Sequence, residues 1–426
     1  MGFIQGLSGL NTSSRALDVI SNNIANASTV GYKASNTIFA DVYAGALTGV
    51  SSAIQIGYGS KVTAVYQNFQ DGTPTTTNNP LDMAIIGNGF YVIQRTDGSI
   101  AYSRNGQFDI SKEGFIITPL GEKLLGILAD ANGVIPPSGG ASEPIFVDLS
   151  VQDPKATTEV EIRSGNLNAD DALPIVTAFD PSDLDSYNFM HTIPVYDSLG
   201  GQHTLAMYFV KTSAGNWDIY EMLDGDITTL SPPLGSPPAA RMSIGFDAYG
   251  KLSTVNGVPV PSGTTVQIPY TATLTNSAAA LNIDIDITKL TQFGAKSSVY
   301  DHGQDGHTVG QLTGIVVNQD GIVQGRYTNG EAKNLGQIVL ATFRSNQGLT
   351  SVGDNLWIES PESGPPIIGR PRSGLNGQIS GGQVEESNVD LTQELVNMII
   401  QQRNYQANSQ TIRTQDQILQ TLVNLR

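Results

Sequence analysis

Residues 391–426 read LTQELVNMIIQQRNYQANSQTIRTQDQILQTLVNLR, a stretch without glycine or proline. One heptad column of this stretch is apolar throughout: Leu391, Met398, Tyr405, Ile412 and Leu419. A second column is apolar only at its ends: Leu395, Gln402, Ser409, Asp416 and Val423. Asp390 precedes the stretch and Gln393 follows three residues later, a spacing typical of a capped helix N-terminus. The pattern predicts one long amphipathic helix of about 52 Å.

Residues 1–27 repeat this design. Their apolar column is Phe3, Leu10, Leu17 and Ile24, and their second column, Leu7, Ser14 and Ser21, is mostly polar. Gly6 and Gly9 each weaken a helix by about 1 kcal/mol relative to alanine. A coiled coil with one apolar and one polar column is too weak to be stable as an isolated pair. Two interpretations stay open: both helices pack on their own domain, or both become ordered only among neighbouring copies.

The middle of the chain is predicted to form β-strands. All 21 prolines lie between Pro74 and Pro371, and tight-turn dipeptides separate short apolar runs. These dipeptides are Asp97-Gly98, Asn105-Gly106, Asp320-Gly321 and Asn329-Gly330. The clearest hairpin joins residues 315–317 to 322–323, and residues 193–196, 203–210 and 217–222 predict a three-stranded meander. We therefore expect a mainly β protein with long terminal α-helices and β-domains nested between them.

Charged residues are scarce and mostly acidic. They make up 14% of the chain, with 39 acidic and 22 basic residues and a net charge of −17, against about 25% in an ordinary soluble protein. This balance argues against binding to nucleic acid or to an anionic membrane, because both require clustered Lys and Arg. The chain has no cysteine, which excludes a disulfide scaffold and thiolate chemistry.

The N-terminus does not resemble a secretory signal. No basic residue precedes Arg15, so the charged region of a signal peptide is missing. No run approaches the ~18 apolar residues of a membrane-spanning helix. We expect no membrane insertion and, if the protein leaves the cell, export without a cleaved signal peptide.

Few clusters of residues point to chemistry. Residues 301–307, DHGQDGH, hold two histidines and two aspartates that suit a transition metal, but a polar loop between strands accounts for them as well. Asp284 and Asp286 could form the carboxylate pair of a glycosidase, and an acidic strand edge explains them equally. We predict no catalytic residue, no cofactor and no metal site.

Residues 21–33 read SNNIANASTVGYK, and residues 387–391, 394–399 and 402–406 read SNVDL, ELVNMI and QRNYQ. Both ends resemble the bacterial flagellar rod and hook axial protein family. Four interior stretches, 88–90 (NGF), 103–108 (SRNGQF), 195–200 (VYDSLG) and 335–340 (LGQIVL), narrow the resemblance to the hook proteins. The residues of the N-terminal family signature are Asn22, Asn23, Ile24, Ala25, Asn26, Gly31, Tyr32 and Lys33.

The resemblance implies a nested domain order. Residues 1–27 and 383–426 would form a terminal α-helical coiled-coil domain, and residues 28–71 a connecting segment. Residues 72–146 and 291–382 would form a discontinuous inner β domain, and residues 147–290 an inserted outer β domain.

The resemblance also implies a function. The protein would be a structural subunit, not an enzyme, that assembles with itself into a curved helical tube outside the cell. This tube, the hook, would join rod to filament and transmit torque as a universal joint. Its partners would be the hook cap protein, the distal rod protein, the hook–filament junction protein and the flagellar type III export apparatus. A distal rod protein, a secreted adhesin and a glycan-active enzyme remain as alternatives.

Assembly assigns roles to the terminal residues. We expect the helix–helix seam to contain Phe3, Leu7, Leu10, Leu17, Ile24, Leu391, Leu395, Met398, Tyr405, Ile412, Leu419 and Val423. The uncharged side chains of Gln401, Gln402, Gln406 and Ser409 are predicted to line a central channel. Ordering a helix costs about 1–2 kcal/mol per residue in backbone entropy, so we expect the helices to be largely disordered until neighbouring copies bury them.

Overall fold

The computed structural model describes residues 2–42, 57–137, 142–233, 242–261 and 263–424. Within these ranges the chain forms two α-helices, α1 (Gly2–Ala25) and α2 (Leu391–Asn424), and thirty β-strands. The prediction of a mainly β chain with terminal helices is thereby confirmed. Neither of these two helices is long and apolar enough to cross a membrane.

The first ten strands are β1 (Ser35–Val42), β2 (Gly59–Gln67), β3 (Pro74–Thr76), β4 (Met83–Ile86), β5 (Phe90–Gln94), β6 (Ile100–Ser103), β7 (Asp109–Ile110), β8 (Ile116–Ile117), β9 (Lys123–Leu128) and β10 (Glu143–Pro144). The next ten are β11 (Glu159–Asn168), β12 (Phe189–Tyr196), β13 (Gln202–Ser213), β14 (Asn216–Leu223), β15 (Met242–Phe246), β16 (Leu252–Val255), β17 (Val258–Pro259), β18 (Gln267–Ala272), β19 (Leu281–Asp286) and β20 (Leu290–Phe293). The last ten are β21 (Ser298–Gln304), β22 (Leu312–Val317), β23 (Ile322–Tyr327), β24 (Ala332–Ile338), β25 (Leu340–Thr342), β26 (Thr350–Gly353), β27 (Leu356–Ile358), β28 (Ile367–Gly369), β29 (Gln378–Gly381) and β30 (Gln383–Glu385).

The chain divides into two compact units, and the first contains both termini: Met1–Leu149, Gly314–Arg326 and Ala332–Arg426. Its largest sheet has the strand order β22-β23-β24-β9-β5-β6-β27-β26. An aromatic cluster fills the core beside this sheet. The ring of Phe90 lies 5.7 Å from that of Trp357 and 5.6 Å from that of Phe69, in each case edge to face. Such pairs add stability beyond the apolar area that they bury.

Three of the four predicted turn dipeptides lie in turns. Asp97-Gly98 joins β5 to β6, and the amides of Gly321 and Gly330 close the turns after β22 and β23. The prediction for Asn105-Gly106 is wrong, because residues 104–108 do not connect a hairpin. A Cβ on Gly106 would lie 1.6 Å from the carbonyl oxygen of Met83, so glycine is required there for close approach of two backbone segments.

The second unit comprises Ser150–Thr313 and Tyr327–Glu331. One of its sheets has the order β18-β19-β11-β20 with β21 beside β11, and the other runs from β12 to β17 in sequence. Strands β12, β13 and β14 pair antiparallel, which confirms the predicted meander. In β19, Ile283 and Ile285 are buried while Asp284 is exposed, so strict alternation places the apolar side chains in the core.

The boundary of this unit differs from the predicted outer domain of residues 147–290. Strand β20 pairs in parallel with β11, and β21 pairs with β11 antiparallel. Residues 291–313 belong to the second unit, although the resemblance implied that they return to the inner domain. Hydrogen bonding across a sheet, and not position along the chain, decides where the unit ends.

Glu221 is a carboxylic acid buried in the core of the second unit. It lies on β14, where it is 1% exposed, and its Oε1 atom has no hydrogen-bond partner among the described residues. Burial raises the pKa of Glu221 from 4.5 to about 8, because apolar surroundings disfavour the charged carboxylate. The side chain is therefore protonated at neutral pH.

The second unit is expected to lose stability as the pH rises through this range. The carboxyl ionises near pH 4.5 in the unfolded chain and near pH 8 in the folded chain. The free energy of unfolding therefore falls between these two pH values and stays constant above about pH 8. At 1.36 kcal/mol per pKa unit, the loss amounts to roughly 4–5 kcal/mol. Glu221→Gln should remove this loss. Urea unfolding at pH 5 and pH 9, followed by Trp217 fluorescence in a Trp357→Phe background, measures it.

Glu159→Gln is the matched control, since Glu159 is an exposed glutamate of the same unit. This control should lose as much stability between the two pH values as the unaltered chain. If the Glu221→Gln and Glu159→Gln variants lost equal stability between pH 5 and pH 9, Glu221 would not be the source of the pH dependence.

Candidate assembly surface of the terminal helices

The two terminal helices pack against each other along a row of small residues on α1. A Cβ on Gly6 would lie 3.1 Å from Cγ1 of Ile412, and one on Gly9 would lie 2.7 Å from the side-chain amide of Asn408. Ser13, Ala16 and Ile20 continue this row at helical spacing and are buried. The glycines that weaken the isolated helix therefore allow the two backbones to approach closely.

The predicted apolar column of α1 is not this contact row. Phe3 is 47% exposed, and Leu10, Leu17 and Ile24 are only half-buried. Leu7, from the second column, is 44% exposed. The contact row is displaced from the column because glycine, serine and alanine admit a closer helix–helix approach than leucine does.

Gly9→Ala is expected to destabilise the helix pair, although alanine favours a helix by about 1 kcal/mol. The new Cβ would lie 2.7 Å from Asn408. Adding Asn408→Ala removes the obstructing atoms, so the double variant should be more stable than the unaltered chain. Thermal unfolding followed by far-UV circular dichroism measures the effect. A double variant no more stable than Gly9→Ala alone would show that the glycine is not needed for contact.

Helix α2 begins at the predicted cap. The Asp390 carboxylate accepts hydrogen bonds from the backbone amides of Thr392 (2.9 Å) and Gln393 (3.1 Å), which confirms it as the N-cap. The Gln393 side chain donates to Asn397 and not back to the cap, so only half of a capping box forms. Residues 383–385, predicted to belong to the helical domain, form β30 and pair with β3.

The first turns of α2 expose a broad apolar surface. Five large aliphatic side chains are each between 46% and 51% exposed: Leu391, Leu395, Val396, Ile399 and Ile400. At the start of α1, Phe3, Ile4 and Leu7 are exposed to a similar degree, and further along α2 so are Tyr405, Ile418 and Leu419. Exposed apolar side chains grouped along a helix, as at 391–400, are typical of a site that binds another protein.

The remaining predicted residues of α2 are divided between two environments. Met398 and Ile412 are half-buried. Of the four residues predicted to line a channel, Gln402 and Gln406 are exposed, whereas Gln401 and Ser409 are half-buried. The four therefore do not share one exposed face. The side chain of Val423 lies outside the described residues.

A buried ionic cluster lies where the N-terminal signature meets the segment before α2. The Lys33 ammonium forms an ion pair with the Glu385 carboxylate, and both side chains are at most 2% exposed. Glu385 also accepts from the Arg104 guanidinium at 3.2 Å. The backbone amide of Gly72 donates to Glu385 at 2.8 Å, and Arg104 reaches Asp71 at 3.3 Å. Two buried cations thus share the Glu385 carboxylate, and Asp71 is a second, more exposed partner of Arg104.

Burial dominates the electrostatics of this cluster. It lowers the pKa of Lys33, and the neighbouring Glu385 carboxylate opposes that shift only in part. The Lys33 ammonium also donates to the carbonyl oxygen of Gln70 at 2.7 Å. An ammonium held this way is costly to leave unpaired, because removing one partner of a buried pair exposes the other to the full cost of desolvation.

Asn23 is the second buried polar link between the termini. Its side-chain amide donates to the carbonyl oxygen of Ser35 at 2.8 Å and to Glu394 of α2 at 3.3 Å. Its side-chain oxygen accepts from the Ser35 amide at 2.9 Å and the Tyr32 hydroxyl at 3.2 Å. The end of α1, the start of β1 and the first turn of α2 are therefore held by one side chain.

The other signature residues shape this junction. Gly31 has a φ of +72°, and a Cβ there would lie 2.6 Å from the backbone nitrogen of Asn105. Asn26 donates to the side chain of Asn22 at 2.8 Å. Ile24 is half-buried and Ala25 is exposed. Of the signature residues, Asn23 and Lys33 thus link the two terminal segments, and Gly31 allows close approach to the backbone of residues 104–105.

Sequence reasoning missed the partners in this cluster. Arg104 lies within a stretch used for the family resemblance, but Asp71, Glu385 and Glu394 were not assigned any contact. The sequence shows these residues only as charges near otherwise neutral ends. A charge alone does not identify an ionic partner hundreds of residues away.

In the histidine- and aspartate-rich stretch 301–307, Asp305 bonds to other residues of the second unit. The first residues of this stretch belong to β21, and Asp305 accepts hydrogen bonds from the amides of Thr158 (2.8 Å) and Glu159 (2.9 Å). Lys155 forms an ion pair with the same carboxylate at 2.9 Å. In the described part of the chain, no group of three or more His, Asp or Glu side chains could hold a metal ion.

Family models match most of the chain. The N-terminal model, "Flagella basal body rod protein", matches residues 5–33, and the "Flagellar hook protein FlgE/F/G D1 domain" matches residues 84–169. The "Flagellar basal body protein FlaE D2 domain" matches residues 166–307. The "Flagellar basal body rod FlgEFG protein C-terminal" matches residues 380–425.

Full-length relatives decide the family. The chain is 40% identical to the flagellar hook protein FlgE of Salmonella typhimurium over 100% of both chains. It is 39% identical to FlgE of Escherichia coli over 100% of both chains. The chain belongs to the flagellar hook protein family. A crystal structure of Helicobacter pylori hook protein FlgE2 shares the fold, with a TM-score of 0.50, 15% identity and coverage of 72% of this chain and 98% of that one.

Membership in the hook family establishes what the protein is. It is a structural, non-enzymatic subunit of the flagellar hook, an extracellular part of the bacterial motility apparatus, and it assembles with copies of itself. The apolar surface of α1 and α2 is the candidate site for that assembly, since its side chains are exposed in the described part of the chain.

Proposed function

We propose that the terminal helices drive assembly by burying their exposed apolar side chains against neighbouring copies. The supporting observation is the half-exposed aliphatic row of Leu391, Leu395, Val396, Ile399 and Ile400. Burying apolar surface stabilises an interface by about 25 cal/mol per Å². Contacts between different surfaces of identical copies generate an open helical assembly when their rotation does not close a ring.

Residues on this surface have two roles in the proposal. Phe3, Leu7, Leu391, Leu395, Tyr405 and Leu419 contact neighbouring copies, whereas Ile412 supports the helix pair within one chain. The half-buried Leu10, Leu17, Ile24 and Met398 lie at the margin of the contact between copies. Ordering of the helices and assembly are coupled, because neighbouring copies supply the burial that offsets backbone entropy.

The exposed amides of α2 face the channel in this arrangement. Gln402 and Gln406 are exposed, and neutral side chains bind a passing unfolded chain only weakly. Gln401 and Ser409 contribute at the edge of this face. The sparse charge of α2 supports a channel through which other subunits travel without being held.

The assembled tube acts as a universal joint between rod and filament. Its partners at the ends are the distal rod protein and the hook–filament junction protein, and the hook cap protein guides its growth. The subunit reaches the tip through the flagellar type III export apparatus. The second unit forms the outer part of the tube, where abundant neutral polar side chains favour exchangeable, hydrated contacts over fixed ion pairs.

Removing residues 391–426 is expected to abolish tube formation. Without α2 the chain loses the exposed aliphatic row and the partner of α1, while the two β units retain their own cores. Electron microscopy of concentrated protein measures tubes, and near-UV circular dichroism checks that the β units stay folded. Tubes of unchanged number from the shortened chain would contradict the proposed function.

A further inference from the structure

The second unit carries a long ordered loop, residues 169–188, between β11 and β12. Two aromatic side chains anchor it, since the ring of Phe179 stacks on that of Tyr220 at 4.0 Å and Tyr187 packs edge to face on Tyr208 at 5.1 Å. The fully buried Ser186 hydroxyl donates to the carbonyl oxygens of Asp180 (2.6 Å) and Asp183 (2.7 Å). A long loop that is held this firmly is usually functional.

The outer side of this loop is apolar and acidic. Leu173 is 57% exposed, Ile175 84% and Leu184 78%. The Val176 amide donates to the carbonyl oxygen of Asp185 at 3.1 Å, so the two arms of the loop are adjacent. Its five charged residues are all aspartates: Asp170, Asp171, Asp180, Asp183 and Asp185. We refer to residues 169–188 as the acidic loop.

A groove lined by apolar side chains and two lysines lies in the same unit, between the start of β16, the segment before β18 and the turn before β20. It has a volume of about 280 Å³. Its apolar lining comprises Leu252, Val260, Pro261, Val266 and Leu290. Lys251 and Lys289 also line it, and Lys289 forms an ion pair with Glu161 at 2.7 Å. We refer to this site as the basic groove.

We propose that the acidic loop of one copy docks into the basic groove of a second copy. The aliphatic side chains of Ile175 and Leu184 match the apolar lining, and Asp183 and Asp185 match Lys251. This complementarity selects a second copy of the chain as the occupant, because the chain itself supplies both halves of the contact. The proposal rests on the self-assembly established for the hook family.

A contact of this kind has a direct consequence for architecture. The loop and the groove are different surfaces, so each subunit presents one of each and the contact can repeat from copy to copy along an open helical tube. Its small apolar core and peripheral charges would allow the outer units to separate and rejoin as a tube bends. The ionic part of the contact weakens with salt, since exposed charges are screened.

Cysteine cross-linking tests the contact directly, because the chain has no cysteine of its own. One preparation carries Ile175→Cys and another carries Val260→Cys, and the two are mixed before assembly. Any covalent dimer between the two variants then joins different copies. We expect such dimers under mild oxidation in tubes but not in dilute monomer.

The matched control replaces Val260→Cys with Leu199→Cys, at a 61% exposed position outside the groove. A dimer yield in the Ile175–Val260 mixture no greater than in the Ile175–Leu199 mixture would overturn the proposal. Tubes that form normally without this cross-link would refute only the docking contact. Failure of the unaltered chain to form tubes would instead refute the proposed role of the terminal helices.

Charge reversal gives a second readout on the same cross-link. Lys251→Asp in the Val260→Cys chain should lower the rate of cross-linking by about tenfold, because it places like charges together. Adding Asp183→Lys and Asp185→Lys to the Ile175→Cys chain should restore most of that rate. If Lys251→Asp left the rate of cross-linking unchanged, or if Asp183→Lys and Asp185→Lys did not restore it, Lys251 would not be the ionic partner of these aspartates.

Discussion

A chain that carries Leu395→Gln and Ile399→Gln is expected to remain folded but to form no tubes at concentrations where the unaltered chain assembles. Both side chains are about half exposed, at 47% and 51%. Burying each against a neighbouring copy contributes about 1–2 kcal/mol. Losing both therefore raises the concentration needed for assembly by roughly 30-fold to 1,000-fold. Sedimentation of tubes over a series of protein concentrations measures this shift.

The matched control carries Leu395→Met and Ile399→Leu, which keep an apolar surface of similar size at the same positions. This control should assemble within a few-fold of the unaltered concentration. Far-UV circular dichroism of both variants below the concentration of assembly separates loss of contact from loss of intrinsic helix content, since glutamine has a helix propensity close to that of leucine. Normal assembly of the glutamine variant would show that this surface is not the contact between copies.

Glu385→Ala is expected to destabilise the first unit by about 3–5 kcal/mol. The substitution leaves the Lys33 ammonium and the Arg104 guanidinium buried without their shared carboxylate. It also removes the acceptor of the Gly72 amide. Urea unfolding followed by Trp357 fluorescence, in a Trp217→Phe background, measures the loss in the unit that contains the cluster.

The adjacent residue provides the control for this prediction. Glu386 is exposed and makes none of the ion pairs found in the described residues. Glu386→Ala should therefore change stability by about 0.5 kcal/mol or less, as is usual away from such clusters. A loss of similar size in both variants would mean that the cluster contributes no more than ordinary surface charge.

Much of the local structure could be predicted from the sequence. The helix at 391–424, its Asp390 cap, the meander of β12 to β14 and three of the four turns follow from short-range patterns. Such patterns express backbone preferences and the alternation of apolar side chains, which act over a few residues. The turn at Asn105-Gly106 failed because the same dipeptide also permits close packing of distant backbone segments.

The candidate site was only partly predictable. The apolar content of both helices was evident, yet the row on α1 that contacts α2 contains Gly6 and Gly9 and not the leucine column. Periodicity identifies which side chains avoid water, but it does not distinguish a contact within one chain from a contact between copies. Gln401 and Ser409 illustrate this, since they share the polarity of Gln402 but are half-buried.

The sequence by itself determined the helical ends, the β-rich middle, the scarcity of charge and the resemblance to the hook family. Only the tertiary structure decided that Lys33 pairs with Glu385, 352 residues away, and that residues 290–293 and 298–304 pair with β11 in the second unit. The physical reason is the range of the interactions. Propensity and periodicity act between near neighbours, whereas burial of a charge or the edge of a sheet depends on segments that only the fold brings together.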